Sequence, residues 1–333
     1  MNKSFFDIYR AKEKALRGER LDSDLMLRLL NIEENSPEFF ELGKVAREVS
    51  AAITHNRAYL YGAIGIDYNP CKLSCDFCSM GEKWGIVSGE NTHIMGTEEI
   101  VERARAFAEL GIRWIVLRTN QEYDPGRLIH LVKEIKKQVP GNYELGLNIG
   151  EFDYFSANAF YESGTDFIYH SLRLREGVNT TFDPAQRLST LSAVKNSKLD
   201  LFYLIEPIGV EHTNKEIVDN YDVILNYNTI LAGGIARVPV ENTPLGIHPQ
   251  ISDERLAHII AFTRLASAGI VEDICVHPIN ELAISFGANV AVIDSGAIPR
   301  DDSFSQNCWR GINYDDMKIK FKNEGYDIYA SKF

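Results

Sequence analysis

From about residue 58 the chain alternates strand-like apolar runs with helical runs, and that alternation restricts the fold more than any other feature. Eight runs read as strands: AYLYGAIGID (58–67), RWIVLRT (113–119), YELGLNIG (143–150), DFIYHSLRL (166–174), LDLFYLIEP (199–207), TILAGGIARVPV (229–240), DICVHP (273–278) and NVAVID (289–294). Several are apolar at nearly every position, as parallel strands buried on both faces must be. Helix starts fall between them. Thr97 is placed to cap a helix over 98–110, with Ile100, Val101, Ala104 and Ala108 on one face. Asp124-Pro125, Asp183-Pro184, Thr213 and Ser252-Asp253 open helices over 125–138, 184–195, 214–225 and 253–268. Strands alternating with helices give parallel βαβ units, and eight of them predict a closed α/β barrel of the (β/α)₈ TIM type.

The flanks differ. Residues 1–56 read as an amphipathic helical extension, and residues 301–333 as a polar, charged tail. The barrel is therefore assigned to 57–300, a stretch without a strong linker, low-complexity segment or sequence repeat. No apolar run reaches the ~18 residues of a membrane span. The N-terminal MNKSFFDIYRAKEKALRGER is charged throughout and lacks the apolar centre of a secretion signal. A cytoplasmic protein without a membrane partner is expected. The formal net charge of −12 leaves no basic footprint for nucleic acid.

Five cysteines is an odd number, and three of them crowd into NPCKLSCDFCSMGEKWG (69–85), as C-x₃-C-x₂-C. A metal or redox role suits that spacing better than a disulfide framework. The segment follows the first strand directly, so a parallel barrel puts it on the C-terminal, catalytic face. Three thiolates from Cys71, Cys75 and Cys78 can each bind one iron of a cubane [4Fe–4S] cluster, leaving the fourth iron open to another ligand. The alternative is a structural zinc site. Zinc sites usually pair two half-sites, and here only His93 follows, with no second half-site.

At these residues the sequence resembles the radical S-adenosylmethionine (SAM) superfamily. More narrowly, from about residue 15 to 300 it resembles the group that contains biotin synthase, the hydrogenase maturase HydE and methylornithine synthase. The resemblance implies a [4Fe–4S] cluster and SAM as cofactors. It implies that Phe77, the aromatic residue before the third cysteine, lies near the adenine. YELGLNIGE (143–151) resembles the family's third strand, which directs Asn148 at the SAM methionine. SLRLRE (171–176) and FDPAQRL (182–188) resemble the fourth strand and next helix, which puts Glu176 and Arg187 against the ribose and carboxylate of SAM. ARVPVENTPLG (236–246) resembles the sixth strand. One segment departs from the pattern. The family's second strand ends in a glycine-rich motif whose backbone receives the SAM amino group. Here it reads LRTNQE (117–122), so the carbonyls of Thr119 and Asn120 must serve from a differently built turn.

The resemblance also implies a reaction. An electron from the cluster breaks a C–S bond of SAM, and the resulting 5′-deoxyadenosyl radical removes a hydrogen atom from a substrate inside the barrel. The electron comes from a one-electron reductant such as flavodoxin or ferredoxin. Arg118, Arg175, Glu206, Arg237, His277 and Asp294 are candidates to line the cavity, with Arg118 and Arg237 best placed to bind a carboxylate of a small-molecule substrate. Rearrangement or cleavage, in a biosynthetic or cofactor-assembly pathway, is favoured over sulfur insertion. Only Cys275 and Cys308 remain for an auxiliary cluster, and Cys275 reads better as a buried small hydrophobe. Trp84 shields the cluster or merely packs, and Asp294 or Arg300 in the stretch after the last strand could close the barrel. A non-catalytic iron–sulfur scaffold is the competing class.

Overall fold

Apolar positions recur at helical spacing through the first 54 residues, and they form three helices: α1 (Lys3–Leu16), α2 (Ser23–Leu30) and α3 (Pro37–Thr54). In α3, Phe39, Leu42, Val45, Ala46 and Val49 make one fully buried stripe. Asp22 and Ser36 cap α2 and α3 through their side chains. The computed structural model describes residues 3–89, 92–267, 269–294 and 314–330, apart from the side chain of Asp294.

The predicted barrel is present. Its strands are β1 (Arg57–Gly65), β4 (Trp114–Arg118), β5 (Glu144–Asn148), β6 (Phe167–Tyr169), β7 (Asp200–Phe202), β8 (Ile205–Ile208), β9 (Thr229–Ala236), β10 (Asp273–His277) and β11 (Val290–Asp294). All pair in parallel, and the ring closes where Tyr59 of β1 meets Val290 of β11. The fifth stave is broken into β7 and β8, which both pair with β9 through register shifts. Two short strands, β2 (Asp67–Tyr68) and β3 (His93–Ile94), form an antiparallel pair above β1.

Helices α5 (Pro125–Gln138), α7 (Pro184–Lys195) and α8 (Asn214–Ile224) start at the predicted caps, and Thr213 and Glu216 complete a reciprocal capping box. Ser252 accepts the Arg255 N–H at the start of α9 (Asp253–Ser267). The prediction for Thr97 fails: it is the first residue inside α4 (Thr97–Glu109), and Gly96 stands at the cap position without a side-chain bond. Three helices were not read from the sequence: α6 (Tyr154–Ser163), α10 (Glu281–Ser285) and one in the C-terminal tail, α11 (Tyr314–Asn323). Only Ala157, Phe160 and Ser163 of α6 are buried, too few to show a period.

The lower barrel is filled with side chains. Phe167 and Phe202 stack with centroids 4.0 Å apart, and Trp114 meets Phe202 edge-on. Gly233 of β9 has a positive φ of 145°, and a Cβ there would lie 1.9 Å from the Cys275 carbonyl oxygen. Below this plug the C-terminal segment returns to the barrel. Helix α11 (Tyr314–Asn323) buries Met317 and Phe321, and β12 (Asp327–Ile328) pairs with the start of β1. Among the described residues no helix is long and apolar enough to cross a membrane. Arg300 and Cys308 lie outside the described residues.

Candidate active site

The cysteine loop is tied down by its own backbone. Cys71 N–H donates to Met80 O at 2.6 Å, Cys78 N–H to Cys75 O at 3.0 Å, and Glu82 N–H to Cys71 O at 2.9 Å. Trp84 Nε1 donates to Cys75 O at 3.0 Å. The half-buried indole is therefore anchored to the loop. Distant segments hold its far side: Asp76 N–H donates to Asn179 O, Leu245 N–H to Asp76 O, and the Thr181 hydroxyl to Leu73 O. Burial pushes the Cys75 thiol up to about 12 and raises Cys71 as well. None of the three is in a disulfide.

All three cysteines border one cavity of about 640 Å³, together with Arg118, Thr119, Asn120, Gln121, Asn148, His170, Arg173, Phe182 and Arg187. Asn148 Nδ2 donates to Tyr169 O at 2.8 Å, which fixes its amide across the strand ends. Arg187 is the most elaborately held residue. Its Nε donates to Glu176 at 3.0 Å, its Nη1 lies 2.8 Å from Glu151, and its guanidinium covers the Phe182 ring at 4.1 Å. Glu151 in turn accepts from Thr190 at 2.6 Å and lies 3.3 Å from His170 Nε2. Burial would raise the Glu151 carboxyl, but bonds and charge from His170 and then Thr190 hold it below its ordinary value. Arg187 Nη2 is left buried without an acceptor.

A larger cavity of about 1050 Å³ adjoins the first inside the barrel mouth. Cys75, Cys78, Arg118, Asn148, Arg173 and Glu206 belong to both walls. Tyr61, Phe77, Tyr169, Arg237 and His277 complete the larger one. Tyr169 donates to Glu206 at 2.5 Å, and burial, then Glu206, keeps the phenol neutral. Arg237 is buried and forks onto Glu211 through both terminal nitrogens. The Arg118 guanidinium makes no hydrogen bond or ion pair with any described residue, while its main-chain oxygen accepts the Ile66 N–H at 3.0 Å. Burial works against the Arg173 cation, while Glu176, Cys75 and Glu206 hold it charged. Its Nη1 is buried without a hydrogen-bond partner.

The structure brings most of the predicted residues together: Cys71, Cys75, Cys78, Thr119, Asn120, Asn148 and Arg187 on the smaller cavity, Arg237 on the larger, and Arg118 on both. Three positions differ from expectation. Phe77 lines the larger cavity, not the smaller. Glu176 lies on neither wall. It sits behind Arg187, its oxygens occupied by Arg187, Thr180 and the Arg173 N–H. Arg175 points away to Glu216 at 2.7 Å, in the turn beyond the strand where its backbone is left-handed, φ 54°. Cys275 is the buried small hydrophobe favoured from the sequence: it lies beneath the cavity floor, fully buried among Leu231, Val290 and Val292, and burial pushes its thiol well up. Sequence reading missed Asp67, Gln121, Glu151, Tyr169, His170 and Arg173. Only Arg173 had a usable signal, since it sits two residues from the Arg175 that was chosen.

The residues fit an iron–sulfur cluster and SAM. The three cysteines border one cavity, which suits a cluster whose irons each take one ligand. The buried nitrogens of Arg187 and Arg173 that lack a hydrogen-bond acceptor suit a carboxylate, because a buried guanidinium nitrogen without an acceptor is costly.

No protein-family model matches the chain. It is 25% identical over 266 residues to the biotin synthase of Persephonella marina, covering 76% of each chain. It is 24% identical over 241 residues to the [FeFe] hydrogenase maturase subunit HydE of Thermotoga maritima, covering 67% of this chain and 64% of that one. Among solved structures, methylornithine synthase (PylB) superposes with a TM-score of 0.80 at 17% identity, over 96% of this chain and 97% of that one. The hydrogenase maturase HydG superposes with a TM-score of 0.77 at 15% identity, over 98% and 76%. At those identities the structures establish the shared barrel, and the two sequence relatives carry the relationship further. Together, the two sequence relatives and the shared barrel support a radical SAM enzyme of the group that includes biotin synthase and HydE.

Proposed function

We propose that this enzyme removes a hydrogen atom from a small carboxylate-bearing substrate held in the larger cavity, in a rearrangement or cleavage reaction of a biosynthetic or cofactor-assembly pathway. One observation carries the reading: the Arg118 guanidinium, without a partner among the described residues, stands on the wall shared by the cysteine-lined cavity and the larger one. A cation in that position gives an anionic substrate a fixed anchor beside the reacting groups.

In this reading Cys71, Cys75 and Cys78 hold the cluster, Arg187 Nη2 takes the SAM carboxylate, and Thr119, Asn120 and Asn148 surround its amino acid part. Phe77 forms a wall between cofactor and substrate. When bound, the cluster and SAM supply a 5′-deoxyadenosyl radical by one-electron reductive cleavage. The chain's own residues bind, orient and exclude water. Arg118 and Arg173 attract the substrate anion, with Arg237 behind them, and Glu206 with Tyr169 sets the polarity of the facing wall. A flavodoxin or ferredoxin in the same cytoplasmic compartment supplies the electron. Nothing in the surroundings of Cys275 favours sulfur insertion, since the thiol is enclosed by apolar side chains.

The test is anaerobic reconstitution, reduction and addition of SAM, with 5′-deoxyadenosine measured in the presence of a panel of small carboxylates. A loaded cluster of about four irons per chain should give the product, and about eight would reveal an auxiliary cluster. Cys75→Ala should abolish cleavage. A fully loaded protein that makes no 5′-deoxyadenosine would be a scaffold, and the reading fails.

A further inference from the structure

The turn after β4 lacks the glycines expected of it, and the structure indicates what stands in for them. None of residues 119–122 has a positive φ, so the turn uses ordinary backbone geometry that L side chains tolerate. Such a turn has no special shape of its own and must be fixed from outside. The Thr119 N–H continues the ladder to Asn148 O at 3.0 Å. Beyond it, two contacts fix the turn, both from the segment that carries the first cluster cysteine. Asp67 Oδ1 accepts the Asn120 N–H at 2.8 Å. Lys72 pairs with Glu122 at 2.8 Å. Residues 67 and 72 thus meet residues 120 and 122 in order.

Asp67 is the deeper of the two. It is 5% exposed and is itself held on the β2–β3 pair, opposite Ile94. Within the turn, the Thr119 hydroxyl donates to Asn120 O at 2.8 Å, and Glu122 N–H donates to Asn120 Oδ1 at 2.9 Å. Asn120 is therefore the pivot, and its N–H is the one group of the turn anchored to a buried side chain. Burial raises the Asp67 carboxyl to about 6, against the pull of the Asn120 N–H and Arg118. Keeping a carboxylate there is unfavourable on its own account, which makes its bond to the turn the feature to explain.

We propose that Asp67 is a positioning residue for SAM: by holding the Asn120 N–H it sets the backbone of residues 119–121 against the cluster loop, replacing the glycine-rich turn. The proposal rests on the SAM-cleaving reading above. Its essential feature is a hydrogen-bond acceptor at position 67, not a charge, so an amide oxygen serves as well.

The test compares Asp67→Ala with Asp67→Asn, each reconstituted to wild-type iron content. Asp67→Ala should weaken SAM binding in equilibrium dialysis about tenfold, the size of one lost hydrogen bond. KM for SAM should rise in parallel, with kcat at saturating SAM within about twofold of wild type. In the metal-free protein, amide exchange at Asn120 should quicken by about tenfold or more. Asp67→Asn should restore all three. Unchanged SAM binding in a folded, loaded Asp67→Ala overturns the proposal, and so does an Asp67→Asn as poor as Asp67→Ala. If Asp67→Ala does not fold, an unprotected Asn120 amide in the metal-free wild type overturns it instead. A wild type that neither binds nor cleaves SAM would sink the proposed function, while the exchange measurement would still report on the strap.

Discussion

Arg187 donates through Nε to Glu176 at 3.0 Å, and both side chains are almost fully buried, 3% and 2% exposed. With Thr180 and the Arg173 N–H on its other lone pairs, the Glu176 carboxylate is fully engaged within the protein behind the cavity. What it achieves is to aim Arg187, whose remaining Nη2 is the free donor.

Removing one member of such a pair leaves a buried charge half compensated, so Glu176→Ala should cost about 3 kcal/mol or more of stability. Glu151, 2.8 Å from Nη1, keeps the loss from being larger. Urea unfolding of the metal-free protein measures it. A loss below about 1 kcal/mol would put the pair in the class of surface bridges and remove this account of the wall.

Arg118→Met should separate substrate binding from SAM cleavage. The methionine keeps much of the side chain's bulk and removes the cation on the shared wall. Slow cleavage without substrate should stay within about threefold of wild type, since no SAM contact is assigned to Arg118. Stimulation of cleavage by an active carboxylate should require about ten- to a hundredfold more of it, the size of a lost bond to a charged group. Stimulation at unchanged concentration would show that the anion is bound elsewhere.

The parts of this molecule that were legible in the sequence are those fixed by local patterns. Eight apolar runs gave the barrel because each strand is buried on both faces, and Asp124, Asp183 and Thr213 marked helix starts because a cap is a contact within three residues. The cysteine spacing is likewise local. The walls of the cavities are not. Arg173 and Arg175 are indistinguishable in a strand pattern. They part because the strand stops at Tyr169 and Arg175 adopts a left-handed backbone. Asp67 with Asn120, and Glu151 with Arg187, are pairs separated by 53 and 36 positions, brought together only when neighbouring staves close. Helix α6 was missed for the opposite reason: its sequence has little period to read, and packing rather than patterning makes it helical.

Glu211 makes a pH prediction with a definite sign. Burial alone would raise its carboxyl, but the hydrogen bond and charge of Arg237 bring it to about 2. A carboxylate whose folded value lies below its unfolded value of about 4.3 stabilises the fold above that value, and the contribution is lost as pH falls from there through the folded value. Glu211→Gln should therefore melt lower than wild type at pH 7, and the gap should shrink between about pH 5 and 2. A gap that stays constant over that range would mean that the fork onto Arg237 is not what holds Glu211 ionised.

The cluster loop offers a last test, because Gly81 and Trp84 are locked together. A Cβ on Gly81 would lie 2.3 Å from the indole Nε1 that donates to Cys75 O. Gly81→Ala must therefore push the indole off the loop, losing the bond and exposing the Cys75 backbone, with an overpacking cost of about 1–3 kcal/mol. Trp84→Phe keeps an aromatic cover and loses only the bond, about 0.5–1.5 kcal/mol. If the indole shields the cluster, iron should pass to a chelator several-fold faster from reconstituted Gly81→Ala than from Trp84→Phe, and fastest from Trp84→Ala, which has neither cover nor bond. Equal release from all three and from wild type would reduce Trp84 to a packing residue. Faster release from Trp84→Phe than from Gly81→Ala would show that the hydrogen bond to Cys75, and not the cover, keeps the loop closed.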